Sequence, residues 1–417
     1  MNNETRHPNG VPSPAGPVSQ GDRIVSLDVV RGFALLGILV MNIQSFSMIA
    51  AAYFNPTAYG DLEGVNYFVW LASHVLADQK FMTIFSMLFG AGVVLMADRV
   101  EAAGRRPGPI HYRRMLVLLV IGLAHAYLLW YGDILVPYAL TAMITYLFRR
   151  RSPKTLIALG LLFLGIGSSI SVASGLTFEN WPNEVKAALE EDWAPAPEVV
   201  AEELDAYRGS WLHQMRHRVP HTLEFQTMTF FFWALWRVGG LMLIGMALFK
   251  LKLFELENPR RFALPAGAVA VFVGVPIVLL GVMNNTANGW SVGYSFWFGM
   301  QYNYWGSLLV SLGWIGFALW LGVLPAARKL CARLAAVGQA ALSNYLLQTA
   351  LCVFLFYGHG FGLFGEVDRL GQILVVLAVW TVQLIVTPWW LTRYRFGPVE
   401  WLWRSATYGR LQPIRRR

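Results

Sequence analysis

Charge is scarce in this sequence: Asp, Glu, Lys and Arg make up 14% of its 417 residues, where soluble domains carry about 25%. The deficit excludes an ordinary soluble enzyme or binding module, although the length alone would allow two or three such domains. Cysteine is scarcer still. Cys331 and Cys352 are the only two, with neither a CxxC nor a zinc spacing, so no disulfide framework is expected and both read as reduced thiols in or near a membrane. No Walker A loop, Rossmann fingerprint or Ser-His-Asp elbow occurs, which removes the common nucleotide and hydrolase signatures. The first twenty or so residues are rich in Pro, Gly, Asn and Ser and lack the apolar core of a signal peptide; residues 1–22 read as a disordered cytoplasmic tail.

Apolar and aromatic residues fill the space that charge leaves. Hydrophobic residues reach 56%, with 17 Trp, 16 Tyr and 26 Phe, the mixture that interfacial aromatic belts require. A helix needs roughly 20 apolar residues to cross the hydrocarbon core. Such runs lie near 29–50, 80–98, 113–130, 133–148, 154–174, 226–250, 262–284, 301–323, 335–357 and 370–391. The fold class is therefore all-α, a polytopic membrane bundle of about ten spans. The third and fourth meet at Tyr131-Gly132-Asp133 as a helical hairpin, and 64–78 reads as an interfacial or re-entrant helix.

The net charge of +9 follows the spans instead of gathering on one polar module, so nucleic acid is excluded as a partner. Segments 99–114, 149–154, 250–261, 328–333 and 393–417 are basic and fall at even-numbered boundaries. The alternate segments are neutral or acidic; 179–205 alone holds nine acidic residues and one Lys. The positive-inside rule then places both termini in the cytoplasm. The regions are 23–174 with spans one to five, an external amphipathic loop at 175–225 with one or two surface helices, 226–392 with spans six to ten, and an amphipathic basic tail at 393–417.

Ionisable groups inside spans are costly unless paired or hydrated, so each is a functional candidate by default. Asp28 and Arg31 are three apart and can pair on a helix, while a guanidinium at the cytoplasmic edge can hold a phosphate-bearing ligand. Asn42 lies three turns deeper on about the same face. The plainer alternative is a basic flank plus one buried amide bond.

The run RIVSLDVVRGFALLGILVMNI resembles the opening of the YeiB-like family, whose shared segment is domain of unknown function 418. Lys80-Phe81 through Gly92, Gly122-Leu-Ala-His125, Gly132-Asp133 through Tyr138, Gly338 through Gln348, and Gly397-Pro398-Val-Glu400-Trp401-Leu-Trp403-Arg404 extend the likeness over about residues 23–410. The LDxxRG opening is in turn similar to that of the transmembrane acyltransferases. These include the acyltransferase-three enzymes and the lysosomal heparan-glucosaminide acetyltransferase. The resemblance implies a bacterial cytoplasmic (inner) membrane protein taking an acyl group from cytoplasmic acyl-CoA to a glycan or lipid, with no tightly bound cofactor. Acyltransferase-three proteins usually have His where this chain has Asn42; the lysosomal enzyme has Asn.

Transfer then needs another base. His125 lies deep in the third span, and Asp133 can reach back to fix its tautomer or cap the fourth helix; interhelical packing is the alternative reading. Lys80 can bind an anionic acceptor. His74 and Asp78 share a helix face but offer only two metal ligands, so no metal is expected. Gly90 and Gly92, with Ala91, would let helix backbones approach. Arg237 can meet a phosphate or pair with Asp133 or Glu224. Asn344, Tyr345 and Gln348 form a polar stripe that lines a cavity or bonds neighbouring helices, and Trp401, Trp403 and Arg404 read as an interfacial anchor. A homodimer is compatible with the sequence, and membrane lipids are the other expected partners. The rival reading is a transporter or channel-like protein for a small metabolite or lipid, without covalent chemistry.

Overall fold

The computed structural model describes residues 23–416, so the tail expected at 1–22 lies outside it. Among the described residues all regular structure is helical, apart from one isolated bridge between Tyr394 and Arg415. The principal helices are α1 (Val25–Ser47), α2 (Gly64–Leu76), α3 (Lys80–Ala102), α4 (Pro107–Leu128), α5 (Leu135–Thr145) and α6 (Pro153–Thr177). They continue as α7 (Asn183–Trp193), α8 (Pro197–Arg208), α9 (Trp211–Glu224), α10 (Leu235–Lys250), α11 (Arg260–Val269) and α12 (Val275–Ala287). The chain ends with α13 (Met300–Leu321), α14 (Arg328–Gln339), α15 (Ala341–Phe356), α16 (Arg369–Arg393) and α17 (Pro398–Tyr408). Local sequence sets many of the starts. Pro107, Pro153 and Pro398 open helices where no N–H is needed, and Ser152, Ser210 and Asp368 accept the first free N–H groups of α6, α9 and α16.

Seven helical stretches are long and apolar enough to cross a membrane: Val25–Ser47, Gly64–Ala102, Pro153–Asn180, Trp211–Lys250, Arg260–Ala287, Val292–Leu321 and Arg369–Arg393. An eighth is the bent pair Pro325–Gln339 and Ala341–Phe356. The protein is thus an all-helical multi-pass membrane protein with seven or eight such stretches. The helices expected at 113–130 and 133–148 both form, but Arg113, Arg114 and His125 interrupt the first and the second is the short Leu135–Phe148. The helix expected at 64–78 forms as α2, yet it runs with α3 into one 39-residue apolar stretch. That is roughly 58 Å at 1.5 Å per residue, well beyond a core of about 30 Å. Gln79 joins the two helices with φ at +62°, a conformation that a side chain with a Cβ resists.

Backbone-to-backbone contacts between helices hold the bundle. A Cβ on Gly90 would sit 2.0 Å from the Met242 carbonyl oxygen, and one on Gly245 would sit 1.9 Å from that of Met87. These two glycines let α3 and α10 meet without side chains between them. Gly92 has open space around it; Gly245 fills the role expected of it. The same device joins α1 to α14, where Gly32 faces the Leu334 carbonyl and Gly338 faces that of Asp28.

The run expected as one span at 335–357 breaks at Ala340 and bends by 87°. The new helix start is capped from α17. The Glu400 carboxylate accepts the N–H groups of Leu342 (2.6 Å) and Ser343 (3.1 Å) and the Ser343 hydroxyl. It neutralises the free N–H groups that a helix start leaves inside the protein. Burial raises the Glu400 carboxyl above the usual carboxylate range, against the pull of these donors. The C-terminal segment is therefore docked, not only an interfacial anchor: Trp403 also donates its indole N–H to the Arg114 carbonyl at 2.8 Å, with the Arg114 guanidinium over its ring. The loop expected to hold one or two surface helices at 175–225 folds as α7, α8 and α9, and α9 runs on toward α10.

Candidate functional site

The first cluster occupies the opening of α1. Asp28 accepts Arg31 Nη1 at 2.9 Å and lies 3.6 Å from Arg23 Nη1, so one carboxylate serves two guanidiniums. Arg31 also reaches the Gly338 carbonyl at 3.5 Å and remains a quarter exposed. Burial, offset by Asp28 and reinforced by Arg31, Arg416 and Arg99, lowers the pKa of Arg23. Burial first and then Arg23 and Arg31 lower that of Arg404. This end of the molecule is crowded with positive charge.

The second cluster is buried between α4, α5 and α15. His125 Nδ1 lies 2.7 Å from Asp133 Oδ1, and its Nε2 lies 2.9 Å from the Thr349 hydroxyl. The other Asp133 oxygen accepts the Val136 N–H at 2.8 Å, so one carboxylate both orients the imidazole and opens α5. The Tyr345 ring centroid is 5.3 Å from that of His125. His125 and Asp133 are each about 1–2% exposed, which seals the group from solvent.

A second His–Asp pair shares a cavity of about 50 Å³ lined by Tyr53, Trp70, His74, Asp78, Trp290 and Asn303. His74 Nδ1 is 3.2 Å from Asp78 Oδ2, and its ring stacks on Trp70 at 5.5 Å. Asp78 also accepts the Tyr53 hydroxyl at 3.2 Å and the Asn303 amide at 2.8 Å. Asn285 Oδ1 and Ser295 Oγ, on residues that line the same cavity, have no partners. At roughly 10–15 Å³ per water, the space suits a few waters or one polar group.

The remaining candidates make separate contacts. Lys80 is fully buried and donates to the His74 carbonyl and Asn303 Oδ1, each at 2.6 Å, so its ammonium is committed inside. Arg237 pairs with neither Asp133 nor Glu224. It donates to the Tyr304 carbonyl (2.7 Å), the Ser307 hydroxyl (2.6 Å) and the Thr83 hydroxyl (3.1 Å), with its guanidinium over the Tyr304 ring. Asn344 donates to the Ala340 carbonyl and accepts from Gln383 and Thr387, while Gln348 donates to Leu35 and Gln383. These two amides tie α15 to α1 and α16. Asn42 is half-buried on α1 and shows no side-chain hydrogen bond among the described residues. Arg31, Asn42 and His125 line neither the cavity beside His74 nor the smaller one beside Arg369.

Sequence reasoning missed Thr349, Glu400 as a helix cap, and the cavity wall of Trp70 and Trp290. Thr349 had one available signal: it stands four residues after Tyr345, on the same helix face. The partners of Glu400 lie 57 and 58 positions away, beyond any local pattern.

A helical bundle with charged and polar side chains sheltered between apolar spans defines a polytopic membrane protein. Residues 248–410 match the family described as protein of unknown function (DUF418). The chain is 33% identical to the uncharacterized protein YeiB of Escherichia coli strain K12, over 93% of this chain and 96% of that one. It is 31% identical to the uncharacterized protein YxaH of Bacillus subtilis strain 168, over 95% and 97% of the two chains. This chain belongs to the DUF418 family. No solved structure matches it.

Proposed function

We propose that the protein is a membrane-embedded acyltransferase that passes an acyl group from cytoplasmic acyl-CoA to a hydroxyl or amine of a glycan or lipid. The observation that carries this reading is the chain Asp133–His125–Thr349, with an imidazole fixed on one nitrogen and facing a hydroxyl on the other. In the scheme, the acceptor hydroxyl takes the place that the Thr349 hydroxyl holds beside His125 Nε2. His125 Nε2 removes its proton, the oxygen attacks the thioester carbonyl, and the carbon–sulfur bond breaks. The departing thiolate recovers the proton from the imidazolium. Such base catalysis contributes about 10²–10⁴-fold. Asn42, with its amide unspent, would donate to the developing oxyanion. The arginines around Asp28 would hold the nucleotide phosphates, and Ala341 to Thr349 along α15 spans roughly 12 Å between that end and His125.

In the same reading the chain crosses a bacterial inner membrane ten times. The α4–α5 hairpin supplies two short crossings and the bent pair the ninth, with both termini and the basic loops cytoplasmic. A homodimer is compatible with this arrangement. The test is to incubate purified protein in liposomes with labelled acetyl-CoA and candidate glycans or lipids. Saturable binding weakened by Arg31→Gln, and acceptor-dependent thioester loss removed by His125→Gln, are expected; absence of both ends the reading. The transporter reading draws on the polar cavity beside His74. It would be favoured by substrate flux that needs no acyl-CoA and is lost in His74→Ala.

A further inference from the structure

A third polar cluster lies where α8, α9 and the end of α15 meet. Arg218 on α9 has no exposed surface. Its Nη2 donates to Gln214 Oε1 at 2.9 Å, while Nε and Nη1 have no partner. The hydroxyls of Tyr207 and Tyr357 and the Nε2 of His217 are also buried without partners. These groups are neighbours: the Tyr207 ring lies 4.9 Å from that of Tyr357 and 5.5 Å from that of His217. Gln214 ties Arg218 to this group, accepting from the guanidinium on its Oε1 and donating from its Nε2 to the Tyr207 carbonyl. No ion pair to Arg218 exists among the described residues, and Glu203, one turn before Tyr207, gives its carboxylate to the Ala50 N–H at 2.9 Å.

The walls are fixed. Gln214 donates to the Tyr207 carbonyl at 3.0 Å and the Gly209 carbonyl at 3.2 Å, and the Gly358 N–H also meets the Tyr207 carbonyl at 2.9 Å. A Cβ on Gly358 would lie 1.8 Å from the Arg208 carbonyl oxygen. The loop after α15 is therefore clamped against the end of α8.

All the unspent groups can present donors, His217 Nε2 in one of its tautomers. The guanidinium offers only donors, and both hydroxyls can donate. A buried cation left without a countercharge or full hydrogen bonding is strongly unfavourable. Water can complete the hydrogen bonds but not the charge. We propose that Arg218, Tyr207 and Tyr357 form a binding site for an oxyanion, best matched by a phosphate group with several acceptor oxygens. The group is supplied either by a phospholipid headgroup or by a soluble phosphate. The site is independent of the acyl-transfer reading.

The test uses the full chain in phosphate-free detergent. Its thermal unfolding is followed against sodium phosphate at constant ionic strength, with sodium chloride as the control. A second arm uses short-chain phosphatidic acid against the matching diacylglycerol. Phosphate or phosphatidic acid should raise the midpoint in the wild type, while chloride and diacylglycerol should not. A response to the lipid alone assigns the source to a headgroup; a response to both assigns it to phosphate in general. Tyr207→Phe with Tyr357→Phe should weaken the apparent affinity at least tenfold. Without phosphate, the same double variant should be as stable as the wild type or more so, because it deletes two hydroxyls that have no partners. It therefore stays informative if Arg218→Gln fails to fold. No wild-type response to either probe, or one unchanged in the double variant, overturns the proposal and leaves buried water only.

Discussion

The molecule holds two His–Asp pairs built in different ways. His125 comes from the first helix of a hairpin and Asp133 from its turn, and a third helix closes the free imidazole nitrogen with Thr349. His74 and Asp78 come from one stretch at i and i+4, and the edge of a cavity leaves each side chain about a fifth exposed. The sealed pair is closed off from solvent, whereas the open pair has room beside it for water. Burial, not the identity of the two residues, sets what each pair contributes.

Under the proposed acyl transfer, the largest expected difference is in activity. With labelled acetyl-CoA and a working acceptor, His125→Gln should lower turnover about 10²–10⁴-fold, and His74→Gln less than tenfold. Equal losses would erase the distinction. The next effect concerns α8, whose Glu203 accepts the N–H of Ala50, three residues before the cavity residue Tyr53. Burial pushes Glu203 up to about 7 from its ordinary 4.5, although the Ala50 N–H pulls it down. A raised carboxyl pKa stabilises the fold at low pH. That contribution is complete below 4.5 and is lost as pH rises through about 7, amounting to about 3 kcal/mol. Thermal unfolding from pH 4 to 8 should show this decline, and Glu203→Gln should flatten it.

A smaller effect separates the two carboxylates. Asp133→Ala strands the imidazole N–H and the Val136 N–H and should cost about 2–3 kcal/mol. Asp78→Ala, with space for water beside it, should cost about 1 kcal/mol. Comparable losses in denaturation would show that the cavity is dry. The smallest effect lies at the helix break: Ser343→Ala removes one hydroxyl from Glu400 and should cost about 1 kcal/mol, read as a lowered midpoint.

Much of the scaffold was legible because its causes are local. The i, i+3 spacing of Asp28 and Arg31 gave their pairing, and the short turn before Asp133 gave its reach to His125. Long apolar runs marked the helices, including α4 and α5 with their shorter apolar lengths. What stayed hidden depends on contacts distant in sequence. The helix start after the bend at Ala340 is capped by a carboxylate nearly sixty positions later, and Gly92 and Gly245 differ only in what faces them. Arg218 sits in a helix whose mixed charge reads as a wet surface, yet tertiary packing removes all its exposure. Lys80 and Arg237 were visible as intramembrane cations, but not their neutral oxygen partners.

The carboxylate that starts α15 also imposes an order of events during synthesis. Residues 341–356 leave the ribosome long before Glu400 does, so the nascent helix enters its surroundings with bare N–H groups at its leading turn. The Glu400 cap on that turn can form only when the stretch around Gly397 has arrived and docked. A nonsense codon just upstream would therefore damage the molecule at a place the missing residues never occupy.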